Sequence, residues 1–155
     1  MKWNKYKPYL IWIGIVEAVG ALSGFISRNG MKLYGTAVAK PPLSPPGWVF
    51  GVVWPILYGL MGWASYLVAM GNGEKKRALV LYGIQLGLNF LWPILFFRFG
   101  LVLPALVLLA ALLVTVLLTM RAFSEVSERA GDLLIPYTLW LSFDLYLNFG
   151  IFLLN

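Results

Sequence analysis

The sequence predicts an all-α membrane protein, a bundle of five transmembrane helices. Three observations carry that prediction. Five apolar stretches, residues 8–26, 47–70, 78–97, 101–120 and 133–154, each approach the ~20 residues that cross a hydrocarbon core of roughly 30 Å. Hydrophobic residues make up 61% of the 155-residue chain and charged residues 12%, about half the share of a soluble domain. Most connections between the stretches are short, which forces successive helices to run antiparallel. One domain over residues 1–155 accommodates all five; a second, soluble domain does not fit.

Helix one follows Lys2, Lys5 and Lys7. This resembles the start of a signal peptide, but the apolar run is long enough to span and no small-residue cleavage site follows, so it reads as a retained helix. Its end is expected at the breaker cluster Ser27-Arg28-Asn29-Gly30. Residues 27–46 then form the longest connection, which Pro41-Pro42 and Pro45-Pro46 keep from being a continuous helix. One long connection among short ones suits a lid over a pocket. Ser44 is the expected N-cap of helix two, with prolines following. Helix two presents Phe50, Trp54, Tyr58, Met61 and Ser65 on one face, at spacings of three and four.

Helix three carries Gln85, Asn89 and Trp92 within roughly 60° of one another. Amides in hydrocarbon need partners, so this stripe points into the bundle. Gly83 and Gly87 lie on nearly the opposite face as a G-x-x-x-G, which lets a second helix approach closely. They serve either as a homodimer seam or as tight packing within the bundle. Helix four is Leu, Val and Ala with Thr115 and Thr119 as its polar residues, suited to packing and lipid contact. Helix five places Tyr137, Trp140, Asp144, Leu147 and Asn148 on one face. The connections 71–77, 98–100 and 121–132 are expected to be loops. No internal repeat is visible, which argues against a transporter built from two inverted halves.

The net charge of +6 reflects Lys and Arg in the connections, where they orient the chain rather than bind nucleic acid. One side holds Lys2, Lys5, Lys7, Lys75, Lys76, Arg77, Arg121 and Arg129; the other holds Arg28, Lys32, Lys40 and Arg98. The bias places the N-terminus in the cytoplasm and the C-terminus outside, and the cell membrane is the expected location. The chain has no Cys and no His, which removes disulfides, thiol catalysis, Cys/His zinc sites and the usual proximal haem ligands. No metal site and no built-in cofactor are expected.

Two carboxylates fall inside spans, Glu17 and Asp144. An unpaired ion there is costly, so each should be protonated, paired or in a wet cavity. Glu17 is expected to bond within the bundle. Asp144 shares the face of Trp140 and is the better candidate to meet a ligand. As a proton relay the two would suggest a transporter. No Ser-His-Asp set and no phosphate-cradling glycine loop is present, so a bound ligand would have to bring any reactivity. The stripes of helices two, three and five together make a pocket with flat aromatic walls and a few polar points, the recipe for a small apolar ligand. Its candidate residues are Trp54, Tyr58, Asn89, Trp92, Tyr137, Trp140, Asp144 and Asn148.

These residues resemble the TspO translocator protein family, also called tryptophan-rich sensory proteins or peripheral-type benzodiazepine receptors. The resemblance lies in Lys40-Pro41-Pro42, Pro45-Pro46-Gly47-Trp48, Val53-Trp54, Leu57-Tyr58 and Met61-Gly62. It continues in Tyr82, Gln85-Leu86, Asn89, Trp92-Pro93 and Phe96-Phe97, then Pro136-Tyr137, Trp140, Phe143 and Leu147-Asn148. It covers essentially the whole chain. It implies five helices, a pocket under the connection between helices one and two, and a homodimer. It also implies binding of porphyrins such as protoporphyrin IX and of benzodiazepine- or isoquinoline-type ligands. Carried over, the pocket would include Trp54, Tyr58, Asn89, Trp92 and Trp140, and Lys32, Tyr34 and Lys40 would belong to its lid. Light-dependent porphyrin breakdown in some bacterial members makes Trp54 and Trp140 the candidate photochemical residues. Two departures stand out. The animal cholesterol motif needs a basic residue that the stretch Leu147 to Leu153 lacks, and Asp144 stands where the family usually has a small residue. A transporter of tetrapyrroles and a sensor acting through a partner protein remain alternatives.

Overall fold

The computed structural model describes the backbone of residues 2–155 and the side chains of residues 6–32 and 38–155. All regular structure among the described residues is helical: α1 Lys2–Ala37, α2 Gly47–Ala69, α3 Lys76–Pro93, α4 Val102–Val126, a short α5 Glu128–Leu133 and α6 Ile135–Leu154. A π-helical turn, Ile94–Arg98, continues α3. Five spans are long and apolar enough to cross a membrane: Tyr6–Lys32, Gly47–Ala69, Lys76–Arg98, Val102–Val126 and Glu128–Leu154. The five-helix fold class therefore holds.

The first helix is longer than expected. The cluster Ser27 to Gly30 does not end it; α1 continues to Ala37. Packing explains the difference. α1 lies against the π turn, and Gly30 meets it backbone to backbone, where an added Cβ would overlap the Phe97 carbonyl. Glycine is kept here for contact rather than termination. The connection is thus residues 38–46, not 27–46. It is fastened to α6: Asn155 Nδ2 donates to the Ala39 carbonyl (2.9 Å), Ala39 N–H donates to Asn155 Oδ1 (3.2 Å), and Tyr146 Oη donates to the Pro42 carbonyl (2.7 Å). Ser44 does not cap α2. Its hydroxyl donates to the Pro41 carbonyl at 2.7 Å and ties the proline turn, while Pro46 occupies the cap position.

The stretch expected as a loop at 121–132 is mostly helix. α4 runs on to Val126, and Ser127 caps α5 by accepting from the Ala130 N–H at 3.4 Å. The core sits among α2, α3, α4 and α6. Met61, Ala64, Val68, Leu109, Val116, Phe123, Tyr137 and Leu141 have no exposed surface there. Tyr82 stacks on Phe123 with centroids 5.6 Å apart. α1 packs on α2 and the π turn at one side of this core, and the space it leaves is where the site lies.

Candidate functional site

A cavity of about 610 Å³ opens among α1, α2 and the end of α3. α1 contributes Glu17, Gly20, Ala21, Ser23, Gly24 and Met31; α2 contributes Gly47, Phe50, Gly51, Trp54, Pro55 and Tyr58; Trp92, Pro93 and Phe97 close it. The volume falls in the range of about 300–1,000 Å³ typical of small-molecule sites. Its lining is mainly aromatic and glycine, so rings form the walls and glycines leave the room. Gly24 and Gly51 would admit a Cβ with nothing within 4 Å, whereas a Cβ on Gly20 would run into the Tyr58 ring. The glycine at position 20 lets the Tyr58 ring approach α1 closely.

Behind the cavity a chain of hydrogen bonds joins three helices. Tyr58 Oη donates to Asn89 Oδ1 (2.5 Å), Asn89 Nδ2 donates to Tyr137 Oη (2.7 Å), and Tyr137 Oη donates to Gln85 Oε1 (2.8 Å). All four side chains are buried. Inside a membrane bundle, each bond supplies the partner the next group needs. Trp92 Nε1 donates to Asn148 Oδ1 (3.0 Å), and Asn148 Nδ2 donates to the Val102 carbonyl (3.2 Å). These bonds fix the orientation of Tyr58 and Trp92, the two rings they present to the cavity.

Of the residues expected at a ligand, the structure therefore brings Trp54, Tyr58 and Trp92 to the cavity wall. Asn89 and Tyr137 stand one layer back, spent on one another and on Tyr58 and Gln85. Trp140 also stands back, with its ring 6.5 Å from that of Trp54 and perpendicular to it (89°), and 5.6 Å from Phe50. Asp144 and Asn148 line a separate void of about 10 Å³, room for one water. Phe50, Trp92 and Phe97 are shared between that void and the main cavity and form the wall between them. Asp144 Oδ2 and Trp140 Nε1 are buried and have no hydrogen-bond partner among the described residues.

The two mid-span carboxylates have exchanged their expected positions. Glu17 lines the cavity and has no bundle partner among the described residues; Asp144 is the one sealed behind aromatic rings. Helical phase gives the reason. Glu17, Gly20, Ala21 and Gly24 recur at spacings of three and four on α1, so the glycine face that makes the space also carries the acid. That pattern is legible in the sequence as small residues flanking a charge. The same reading would have found Ser23, Pro55, Pro93 and Phe97 only through the packing of their neighbours.

Two of the three expected lid residues have described side chains. Lys32 is exposed at the far part of α1, Lys40 is half-buried in the connection clasped to α6, and neither lines the cavity. Tyr34 lies outside the described side chains. Gly83 and Gly87 are exposed on the outer face of α3, with nothing within 4 Å of an added Cβ. Close packing inside the bundle is therefore not their role among the described residues. No group of three or more acidic, His or Cys side chains that could hold a metal is present among the described residues.

The model of the TspO/MBR family matches residues 12–154. The chain belongs to the TspO/MBR family. Among its relatives is the tryptophan-rich protein TspO of Chlorobaculum tepidum, 42% identical over 147 residues that cover 92% of each chain. The tryptophan-rich protein TspO of Archaeoglobus fulgidus is 39% identical over 142 residues, 90% of this chain and 92% of that one. The human translocator protein is 39% identical over 134 residues, 82% of this chain and 77% of that one. Membership and the five apolar spans together make this TspO/MBR chain a multi-pass membrane protein.

Proposed function

We propose that the cavity among α1, α2 and α3 binds a flat aromatic ligand, with metal-free protoporphyrin IX as the leading candidate. One observation carries the reading: a space of about 610 Å³ walled by Phe50, Trp54, Tyr58, Trp92 and Phe97. Stacking of a macrocycle on indole and phenyl faces supplies the attraction. Benzodiazepine- and isoquinoline-type compounds are smaller members of the same ligand class. Under light, an excited porphyrin against Trp54 can exchange an electron with its indole, and Trp140 stands 6.5 Å behind it. Trp54 and Trp140 are our candidates for light- and oxygen-dependent porphyrin breakdown, with dioxygen as the oxidant. The cell membrane, an N-terminus in the cytoplasm and a homodimer through Gly83 and Gly87 complete the proposal.

Titration of detergent-purified protein with protoporphyrin IX in the dark, followed by tryptophan quenching, tests it. Saturation near one ligand per chain is expected, weakened in a Trp54→Phe/Trp140→Phe double variant. Under illumination the same variant should lose porphyrin breakdown while keeping its helical circular dichroism. Linear quenching in both proteins would instead mean partition into detergent and would end this reading. Glu17, at mid-span in the cavity wall and without a partner among the described residues, favours transport as a second reading. Proteoliposome uptake that fails in Glu17→Gln would support it. A sensor acting through a partner would show ligand-dependent co-purification.

A further inference from the structure

The cavity is rich in hydrogen-bond acceptors and poor in free donors. Tyr58 spends its proton on Asn89, Ser23 spends its proton on the Phe90 carbonyl (2.8 Å), and Trp92 spends its N–H on Asn148. What the two hydroxyls have left are lone pairs. Pro55 has no N–H, so the Gly51 carbonyl lacks the donor an uninterrupted helix would give it, and both residues line the cavity. Glu17 adds a carboxyl group without a partner among the described residues. Of the two lining indoles, Trp54 is the one whose N–H has no acceptor among the described residues. No Lys or Arg is among the lining residues.

From this we infer that the cavity selects by charge: it takes aromatic ligands bearing an N–H donor or a protonated amine, recognised by Glu17, and disfavours carboxylates. A carboxyl at this depth is stabilised by a proton, by cavity water or by a partner, and a ligand's donor is the partner that replaces water when the cavity fills. The chain supplies no such partner among the described residues, so the ligand's donor fills that place. The inference deepens the reading of this space as a ligand cavity. It does not require porphyrin as the occupant: protoporphyrin IX carries two carboxylates as well as two inner N–H groups, and it satisfies the rule only with its N–H face toward Glu17 and its carboxylates away from it. The chain's net charge of +6 would draw anions, so a preference for cations would have to come from the site.

Two fluorescent probes of one ring system test it: 1-pyrenylmethylamine, protonated at neutral pH, and 1-pyrenecarboxylate. Binding is read by energy transfer from tryptophan in a non-ionic detergent. The wild-type protein should bind the amine about tenfold more tightly or better, the scale of one charge-assisted hydrogen bond. Glu17→Gln should remove that preference while still binding both probes. Glu74→Gln, in an exposed turn outside the cavity, should leave the preference intact. Gly24→Leu should weaken both probes alike. A preference unchanged in Glu17→Gln, a tighter carboxylate in the wild type, or saturable binding of neither probe would overturn the inference. Glu17-dependent amine binding by a protein that fails to saturate with protoporphyrin IX would uphold it and remove the porphyrin reading alone.

Discussion

Asn89 is the residue on which the site's geometry turns. It accepts from Tyr58 and donates to Tyr137, and so ties α2, α3 and α6 together behind the cavity. Asn89→Leu leaves the buried Tyr58 hydroxyl without its acceptor and should cost about 1–3 kcal/mol, read as a lower Tm in detergent. Tyr58→Phe removes a donor without stranding one of its own. It should cost less, about 0.6 kcal/mol, the average for an interhelical bond in a membrane bundle. Equal losses in the two variants would show that the chain of bonds is not the supporting element. The inward direction of Asn89, Tyr137 and Trp92 was legible from spacing alone. Their depth was not, because periodicity assigns a face and says nothing of which groups on it satisfy one another. Asp144 and Glu17 make the same point: both were recognisable as mid-span acids, yet only packing decides which one meets the cavity.

Glycines decide how the elements meet. Gly30 lets α1 touch the π turn at the Phe97 carbonyl, a contact with backbone that cannot swing aside. Gly30→Ala should therefore destabilise the fold by about 1–3 kcal/mol, the usual cost of overpacking. Gly83→Ala and Gly87→Ala, on open surface inside α3, should leave the fold intact and raise stability by about 0.5–1 kcal/mol, alanine's helix preference over glycine, measured by denaturant unfolding in micelles. A Gly30→Ala protein as stable as the wild type would refute the close-contact account of α1's length. The five spans were legible because apolar length is a strong signal. The true end of α1 was not, since a glycine that permits contact and one that ends a helix look alike in sequence. The π turn was equally hidden: Pro93 marks the place, but the register change depends on what α1 and α4 press against it.

At the scale of the whole molecule, α1 packs on α2 and the π turn at one side of a small core of α2, α3, α4 and α6, and glycines on α1 and α2 leave a cavity beside that contact. The fold class and the family resemblance were both readable from the chain. The position of the cavity was expected among the stripes of helices two, three and five, and the structure sets it one helix over, with α1 as a wall and α6 behind. The clasp between residues 38–46 and α6 also changes the expected role of the connection, which is anchored at the bundle's end by Asn155 and Tyr146. The most direct test of the central claim is to fill the cavity without touching its rings. Gly24→Leu and Gly51→Leu each place a side chain in open cavity space, and leucine favours helix over glycine by roughly 1 kcal/mol, so the fold should persist. Protoporphyrin IX binding, measured in the dark by saturable tryptophan quenching, should weaken at least about tenfold in the double variant, as for loss of one good contact of roughly 1.4 kcal/mol. Undiminished, saturable binding in a double variant with unchanged Tm would contradict the claim that this cavity is the ligand site.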